Sequence, residues 1–158
     1  MRFLLSLLVL GCAVTSAHAQ PLSPEAQQML AAHNDVRAGV GVPPLSWSDT
    51  LAGVARDWAR HLIETGRFEH RPNPAHGENL YAITGGTASP RQVVDAWASE
   101  RRHYDLRTNT CSAVCGHYTQ IVWERTRSVG CALAQAGGRQ VWVCSYDPPG
   151  NVVGRRPY

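Results

Sequence analysis

The sequence predicts an α+β fold in a single domain, because helical patterns fill its first two thirds and strand patterns its last third. Its 158 residues suit one domain of ordinary size and leave no room for two independent cores. Apolar residues make up 44% of the chain and charged residues 17%, a balance typical of globular proteins. Disordered, collagen-like and coiled-coil proteins are therefore excluded.

The N-terminal segment has the features of a secretory signal peptide. Arg2 supplies a positive charge, Phe3 to Leu10 is an apolar stretch, and Ala17-His18-Ala19 is a small-x-small cleavage motif. The apolar stretch is too short to anchor the chain across a bilayer. We therefore predict a signal peptide at 1–19 and a mature domain at 20–158 that is secreted or periplasmic and has no transmembrane anchor.

A second interpretation of the same segment stays open. Val9-Leu10-Gly11-Cys12 resembles a lipoprotein box, which would place a lipid on Cys12 at the new N-terminus. That leader would be unusually short.

The charge pattern gives no indication of nucleic-acid binding. The net charge is only +3, and all 15 basic residues are arginines scattered along the chain. No repeat of aromatic and basic residues accompanies them. We expect no nucleic-acid partner.

Three helices are predicted in the N-terminal part. The first begins at Ser23-Pro24-Glu25, which combines a capping hydroxyl, a proline at the first helical position and an acid in the first turn. Apolar residues recur at helical spacing after it and place His33 on the inward stripe. The second helix begins near Ser48 or Asp49 and ends at Gly66.

The third predicted helix carries an acidic residue on an apolar face. It starts at Ser89-Pro90, and Val93, Trp97, Glu100 and Tyr104 recur along one side. An acid in that position has a functional and a structural interpretation, and the two stay equally open for Glu100.

A long loop is predicted from Arg71 to Ser89, because this stretch is rich in Pro, Gly, Asn and Thr and has little periodicity. Loops of this length inside a compact domain are usually functional or disordered. This one holds His76 and Glu78.

About three antiparallel strands are predicted after the helices. His117 opens the first, at Tyr118–Trp123, and a hairpin then joins Val129–Gln135 to Arg139–Tyr146 through Gly137-Gly138. The tail from Pro148 to Tyr158 is predicted to wrap over the domain in an extended form.

Four cysteines remain after cleavage at Ala19, and an even number in an exported chain predicts two disulfides. In the predicted hairpin, Cys131 and Cys144 face each other in a non-hydrogen-bonded pair, where the Cα atoms approach to roughly 4.5 Å. Cys111 and Cys115 then remain to close a small loop. A bulge that shifted the register by one residue would invalidate this pairing.

Without a family resemblance, the sequence offers few candidates for catalytic or metal-binding residues. The sequence has no nucleophile elbow, HExxH, CxxC or phosphate-binding glycine loop. We favour a core histidine for His33, solvated surface positions for His76 and His103, and a surface charge for Glu124. A structural hydrogen bond and metal binding both stay open for His117. Spacing alone does not show that any of these groups meet.

Four short motifs occur in order along the chain: His33-Asn34-Asp35-Val36-Arg37, Gly77-Glu78-Asn79-Leu80-Tyr81, the run from Gly116 to Trp123 and the run from Val141 to Asn151. They resemble the motifs of the CAP superfamily of cysteine-rich secretory, venom allergen and plant pathogenesis-related proteins, and the similarity is greatest to the plant branch. The resemblance extends from about Pro24 to Tyr158. It implies a three-layer α-β-α sandwich around a small antiparallel sheet.

The resemblance also implies a cleft that holds two histidines and two glutamates. These map onto His70, Glu78, Glu100 and His117, although His76 could take the place of His70 because the surrounding segment is longer than in plant relatives. Plant members usually have three disulfides, and the cysteine pair of one bridge is absent from this chain.

Such a cleft suits a divalent metal such as zinc, held by His70 and His117. A polar cluster that only ties the loop, helix and strand together by hydrogen bonds stays equally open. A carboxylate would act as a third ligand or orient an imidazole, and Glu78 or Glu100 is the candidate base if the protein is a metal-dependent hydrolase or protease. We favour a monomeric binding module over that enzyme. Within the family, sterol or another lipid is the expected ligand, bound in an apolar groove beside the long loop. The tail from Pro148 also resembles a terminal peptide that plant relatives are proposed to release after cleavage, here after Asp147.

Overall fold

The computed structural model describes residues 21–158. The predicted signal peptide, its cleavage site and the possible lipid attachment at Cys12 lie outside these residues. No helix within the described range combines the length and the apolar character needed to cross a membrane.

The described chain contains four α-helices and one 3₁₀ helix, and the three predicted helix starts are confirmed. The helices are α1 (Pro24–Ala38), α2 (Asp49–Thr65), α3 (Pro90–Ala98), α4 (Gly116–Ile121) and the 3₁₀ helix Ser99–His103. Ser23, Ser48 and Ser89 cap the first three, because each side chain accepts a backbone N–H of the first turn. Gly66 ends α2 in the left-handed conformation that favours glycine.

Six strands form one four-stranded sheet and one small ribbon. They are β1 (Ser46–Trp47), β2 (Gly77–Thr84), β3 (Tyr104–Asp105), β4 (Thr110–Cys111), β5 (Ser128–Ala136) and β6 (Arg139–Asp147). The main sheet has the order β1-β5-β6-β2, and β3 pairs only with β4. The short β1 runs parallel to β5, so the sheet is mixed rather than purely antiparallel as predicted.

Helices cover both faces of the main sheet, which confirms the α-β-α sandwich. On one face, α1, α3 and α4 pack around Val129, Trp142 and Tyr146. On the other face, α2 packs against Val141 and Val143. Alternate residues of β5 and β6 therefore enter different cores.

The hairpin has the predicted register and disulfide. Ala136 faces Arg139 across the turn, and Cys131 faces Cys144. The Cα atoms of this cysteine pair are 4.1 Å apart, and the second bridge joins Cys111 to Cys115. Both predicted disulfides are confirmed.

The predicted strand at Tyr118–Trp123 is wrong, because most of this segment forms α4. All six of its residues are buried, so neither an alternating nor a helical pattern is visible in the sequence. A short buried run of this kind does not distinguish a strand from a helix. His117 consequently lies in the first turn of a helix.

The predicted loop from Arg71 to Ser89 is wrong in its central part, where β2 provides the third antiparallel strand. Its residues do not alternate between buried and exposed because β2 is covered on both faces. Leu80 contacts the α2 core, and Tyr81 packs toward the opposite core.

The third predicted helix is also shorter than expected. The α-helix ends at Ala98, Glu100 lies in the 3₁₀ helix, and Tyr104 begins β3. The tail beyond Pro148 has no regular secondary structure and wraps over the domain as predicted. Near its end, Tyr158 bonds Tyr118 through the two hydroxyls at 3.0 Å.

Candidate functional site

Glu100 and His117 form the first of two pairs between a histidine and a carboxylate. Glu100 Oε1 accepts a hydrogen bond from His117 Nδ1 at 2.6 Å, and Oε2 accepts the backbone N–H groups of His117 at 3.0 Å and Tyr118 at 3.3 Å. These N–H groups are in the first turn of α4, whose N-cap residue provides no side-chain acceptor. Glu100 therefore caps α4 and orients the imidazole at the same time.

Trp97 supports this pair from α3. Its ring stacks on His117 with centroids 6.1 Å apart, and its Nε1 donates to the carbonyl of Leu80 at 3.0 Å. Because Leu80 belongs to the edge strand β2, this hydrogen bond joins α3 to the sheet next to the pair.

His70 and Glu78 form the second pair, beside the start of β2. Glu78 Oε1 accepts hydrogen bonds from His70 Nδ1 at 2.8 Å and from the backbone N–H of Arg71 at 3.1 Å. The Glu78 side chain is 6% exposed and the His70 side chain 61%. The hydrogen bond from the Glu78 carboxylate raises the pKa of His70, and partial burial of the ring opposes the effect.

Asn79 links the two pairs. It follows Glu78 on β2, and its amide donates to the carbonyl of His117 and to the hydroxyl of Tyr146, both at 3.1 Å. Side chains of consecutive strand residues leave on opposite faces, so Glu78 and Asn79 point to different sides of β2. The structure therefore brings the four predicted residues to the same edge strand as two hydrogen-bonded pairs.

Both imidazoles keep one ring nitrogen unused. Within residues 21–158, neither His70 nor His117 forms a hydrogen bond through Nε2. A carboxylate that accepts from Nδ1 holds the proton there and leaves a lone pair on Nε2. Many metal-binding histidines have the same arrangement, in which a carboxylate accepts from one ring nitrogen and the other nitrogen binds the metal.

Sequence comparison assigns the fold and these motifs to a family. The family model described as the cysteine-rich secretory protein family, CAP, matches residues 30–146. This chain belongs to the CAP family.

One relative and two solved structures show how far the similarity extends. Pathogenesis-related protein 1C of Nicotiana tabacum is 41% identical over 160 aligned residues, which cover 99% of this chain and 93% of the relative. Venom allergen-like protein 4 of Schistosoma mansoni has a TM-score of 0.72 at 25% identity and covers 87% of this chain and 95% of its own. NaASP2, solved with Zn²⁺, has a TM-score of 0.71 at 24% identity, with 86% of each chain covered.

His33 is a core histidine, as the sequence predicts. It is fully buried, its Nδ1 donates to the carbonyl of Met29, and its Nε2 accepts from the hydroxyl of Tyr146, both at 2.8 Å. Burial lowers the pKa of His33 to about 4. The hydrogen bonds continue from Tyr146 to Asn79, so the first CAP motif is connected to the second.

The same histidine belongs to a cluster of metal-binding residue types. Among the described residues, the one group of three such side chains with ligand atoms within 4.8 Å of one another is His33, Cys131 and Cys144. Both cysteines are in the buried disulfide, and a disulfide offers no thiolate. This cluster is therefore not a zinc site in the oxidised protein.

The remaining acid and histidines have different surroundings. Glu124 is exposed, as predicted. His103 is half-buried and accepts a hydrogen bond from Arg102 Nε at 3.0 Å. His76 is less exposed than predicted, because its Nδ1 is shielded from solvent and lies 3.4 Å from the carboxylate of Asp147.

Two cavities lie near these elements. One cavity beside the predicted loop has a volume of about 280 Å³, and its lining combines charged residues such as Arg71 and Glu78 with apolar ones such as Val54 and Pro74. A larger cavity of about 510 Å³ lies where the start of α1 meets β5. Its apolar lining includes Met29, Trp47, Leu133 and Trp142.

Two residues of the quoted motifs had no predicted role but organise the site region. The Asn79 amide is buried and lies next to the buried Leu80 in the sequence. A polar residue next to an apolar residue of a motif was the feature of the sequence that could have indicated a buried, hydrogen-bonded amide. Arg37 is fully buried and donates to the carbonyls of Pro43, Ile121, Trp123 and Thr126. It thereby fixes the segment that follows α4 onto α1.

Proposed function

We propose that this CAP protein is exported and acts as a monomeric binding module whose paired histidines hold a divalent metal ion such as zinc. The observation that carries the proposal is the shared geometry of the two pairs. In each, a carboxylate accepts from Nδ1 and leaves Nε2 without a partner among the described residues.

Zinc suits this set of donors. Imidazole nitrogen and carboxylate oxygen are both common zinc ligands. His70 and His117 would hold the ion through Nε2, while Glu78 and Glu100 would set the tautomer of each ring. Among residues 21–158, no three of these four side chains bring their ligand atoms within 4.8 Å of one another, so the proposal uses the two imidazoles and assigns the other coordination positions to water. NaASP2, which shares the fold, is a protein solved with Zn²⁺.

Export is supported by the N-terminal pattern and by the disulfides. Residues 1–19 have the composition of a signal peptide, and 20–158 would be the mature CAP domain. Two disulfides in a domain of this size are typical of an oxidising compartment. Determining the N-terminus of the secreted protein tests both the cleavage after Ala19 and the alternative at Cys12.

A binding role is favoured over a metal-dependent hydrolase or protease because Glu100, one of the two candidate bases, is engaged through both carboxylate oxygens. Glu78 accepts through Oε1 from His70 and from the backbone N–H of Arg71, so only its Oε2 remains for a base. A base that activates water needs a free oxygen directed toward that water. If the protein does hydrolyse a substrate, turnover that is abolished by Glu78→Gln and by chelator would favour the enzyme.

Titration calorimetry with zinc tests the metal proposal. We expect one saturable site in the secreted protein and loss of that heat in both His70→Ala and His117→Ala. His103→Ala is the matched control, since His103 contacts neither pair, and it should bind zinc as the wild type does. Zinc binding that survives both site substitutions would contradict the proposal.

Lipid or sterol binding is a second candidate, supported by the larger cavity. Its volume of about 510 Å³ is typical of small-molecule sites. Met29, Leu133 and Trp142 line it and would contact the apolar part of a ligand.

A substitution that fills the larger cavity tests the lipid proposal. We expect saturable binding of a radiolabelled sterol or fatty acid by the wild type and its loss in Leu133→Arg. Phe68→Arg is the control, because Phe68 is exposed and does not line the cavity. Absence of saturable binding by the folded wild type, or equal binding by Leu133→Arg, would refute it.

A further inference from the structure

The exposed apolar residues of the protein are concentrated in two segments. Among residues 21–158, five large hydrophobic residues are exposed: Phe68, Leu106, Val114, Val152 and Val153. All except Phe68 lie within 101–115 or 148–158. Val153 is 98% exposed and Val114 67%. Isolated exposed apolar residues are ordinary, but four in two short segments require an explanation.

The two segments contact each other and form one surface. Arg156 donates to the carbonyls of Leu106 and Arg107, and the side chain of Asn109 donates to the carbonyl of Arg155 at 3.2 Å. Farther along, the amide of Asn151 donates to the carbonyl of Gly116, directly after the first segment, at 2.9 Å. We call residues 101–115 and 148–158 together the tail surface.

The tail surface is strongly basic. Five of the 15 arginines of the chain lie on it: Arg101, Arg102, Arg107, Arg155 and Arg156. Its one acidic residue, Asp105, is engaged, because its carboxylate accepts the backbone N–H groups of Arg107 and Thr108. The guanidinium groups therefore dominate the potential over this surface.

Its most exposed apolar residue, Val153, is in a tight turn. The backbone N–H of Arg155 donates to the carbonyl of Val152 at 3.0 Å, and Gly154 between them has a φ of +78° that suits glycine. Val153 thus projects from the turn with arginines directly after it. Aliphatic side chains that project among arginines match the boundary between lipid headgroups and acyl chains.

We propose that the tail surface docks the protein peripherally on membranes that contain anionic phospholipids. The arginines would bind lipid phosphates, and Val153 with its apolar neighbours would insert below them. A soluble polyanion would use the arginines but would gain nothing from the valines. None of the residues of this surface belongs to either histidine pair, so the proposal stands whether or not the pairs bind metal.

Vesicle flotation tests the proposal with the secreted wild-type chain. We expect it to float with vesicles of phosphatidylcholine and phosphatidylglycerol at low salt, and not with phosphatidylcholine alone. Arg101→Glu changes the local charge by two units and should weaken binding roughly 30-fold, since each charge near an anionic surface contributes about fivefold. Val153→Ser should weaken it about tenfold through the lost apolar contact.

Matched controls separate docking from general charge and folding effects. Arg60→Glu makes the same charge change on an exposed position of α2, and Phe68→Ser removes an exposed apolar side chain outside the tail surface. Both should float like the wild type, and all four variants should retain the wild-type melting temperature. No flotation of the wild type with anionic vesicles would overturn the proposal, as would equal losses in Arg60→Glu and Arg101→Glu. Binding that is lost in Arg101→Glu but unchanged in Val153→Ser would indicate a polyanion and would also overturn it.

Discussion

Glu100 holds His117 by two contacts, one to the imidazole and one to the backbone of the same residue. The ring contact is 2.6 Å and the backbone contact 3.0 Å. Because the two oxygens of one carboxylate make these contacts, the orientation of the ring is coupled to the start of α4. A substitution of Glu100 therefore changes both contacts, and its effects on metal affinity and on stability have to be measured separately.

Glu100→Gln should weaken zinc binding with a small loss of stability. The amide keeps one oxygen for one contact but loses the second acceptor oxygen and the negative charge that orient the His117 ring. Loss of such an orienting carboxylate typically reduces metal affinity about 10- to 100-fold. Zinc calorimetry and urea unfolding measure the two effects, with Glu124→Gln as a surface control. Unchanged zinc affinity in Glu100→Gln would contradict the assigned role.

Glu78→Gln should lower the pKa of His70, because the hydrogen bond to the carboxylate is the main cause that raises it. Because the pKa of His70 is higher in the folded than in the unfolded protein, the pair stabilises the fold. The stabilisation is fully present below about pH 6.5, the pKa of histidine in an unfolded chain, and it is lost as the pH rises through the folded-state pKa. The contribution is small because the ring is largely exposed. NMR titration of the His70 Cε1–H resonance, with His103 as the internal reference, measures the shift. An unchanged midpoint in Glu78→Gln would show that the pair does not form in solution.

Stability should fall as the pH decreases from about 6.5 to 4 because of His33. Its folded-state pKa is about 4, so the unfolded chain binds an extra proton in this window and is favoured there. The limiting contribution is about 3 kcal/mol, from 1.36 kcal/mol per pKa unit. Protonation would also require Tyr146 to withdraw the hydrogen that it donates to Nε2.

Urea unfolding at several pH values measures this effect of His33. His33→Gln should lower stability at pH 7 and should show a shallower dependence on pH below 6.5 than the wild type. Parallel pH profiles for the two proteins would rule out His33 as the source.

Removing the two disulfides should have unequal effects. Cys131 and Cys144 are 13 residues apart in sequence and Cys111 and Cys115 are 4 apart. Loop entropy then gives about 3 kcal/mol for the longer loop and about 2 kcal/mol for the shorter. Replacing Cys131 and Cys144 by alanine also removes buried atoms from the core, which increases the difference. Urea unfolding of the two double-alanine variants should show this order, and the reverse order would contradict it.

Local signals were enough to predict the helix starts and the hairpin. Ser23, Ser48 and Ser89 begin helices because their hydroxyls satisfy first-turn N–H groups, and this chemistry is independent of the rest of the fold. Cys131 and Cys144 face each other because the two-residue turn fixes the register of the hairpin.

Features that depend on distant packing could not be predicted in this way. The run Tyr118–Trp123 is buried on all sides, so its helical form depends on contacts such as the cap from Glu100. The strand β2 lacks alternation because both of its faces are covered. In the site region, the motif resemblance supplied the residues, but only the fold shows that each carboxylate accepts from the Nδ1 of one histidine.

The central claim is that His70 and His117 serve one metal ion, and a double-mutant cycle of zinc affinity tests it most directly. If both rings bind the same ion, His70→Ala and His117→Ala should each remove most of the affinity, and the double variant should lose little more than either single one. Additive losses in the double variant, or an independent zinc site that remains in each single variant, would contradict the shared site.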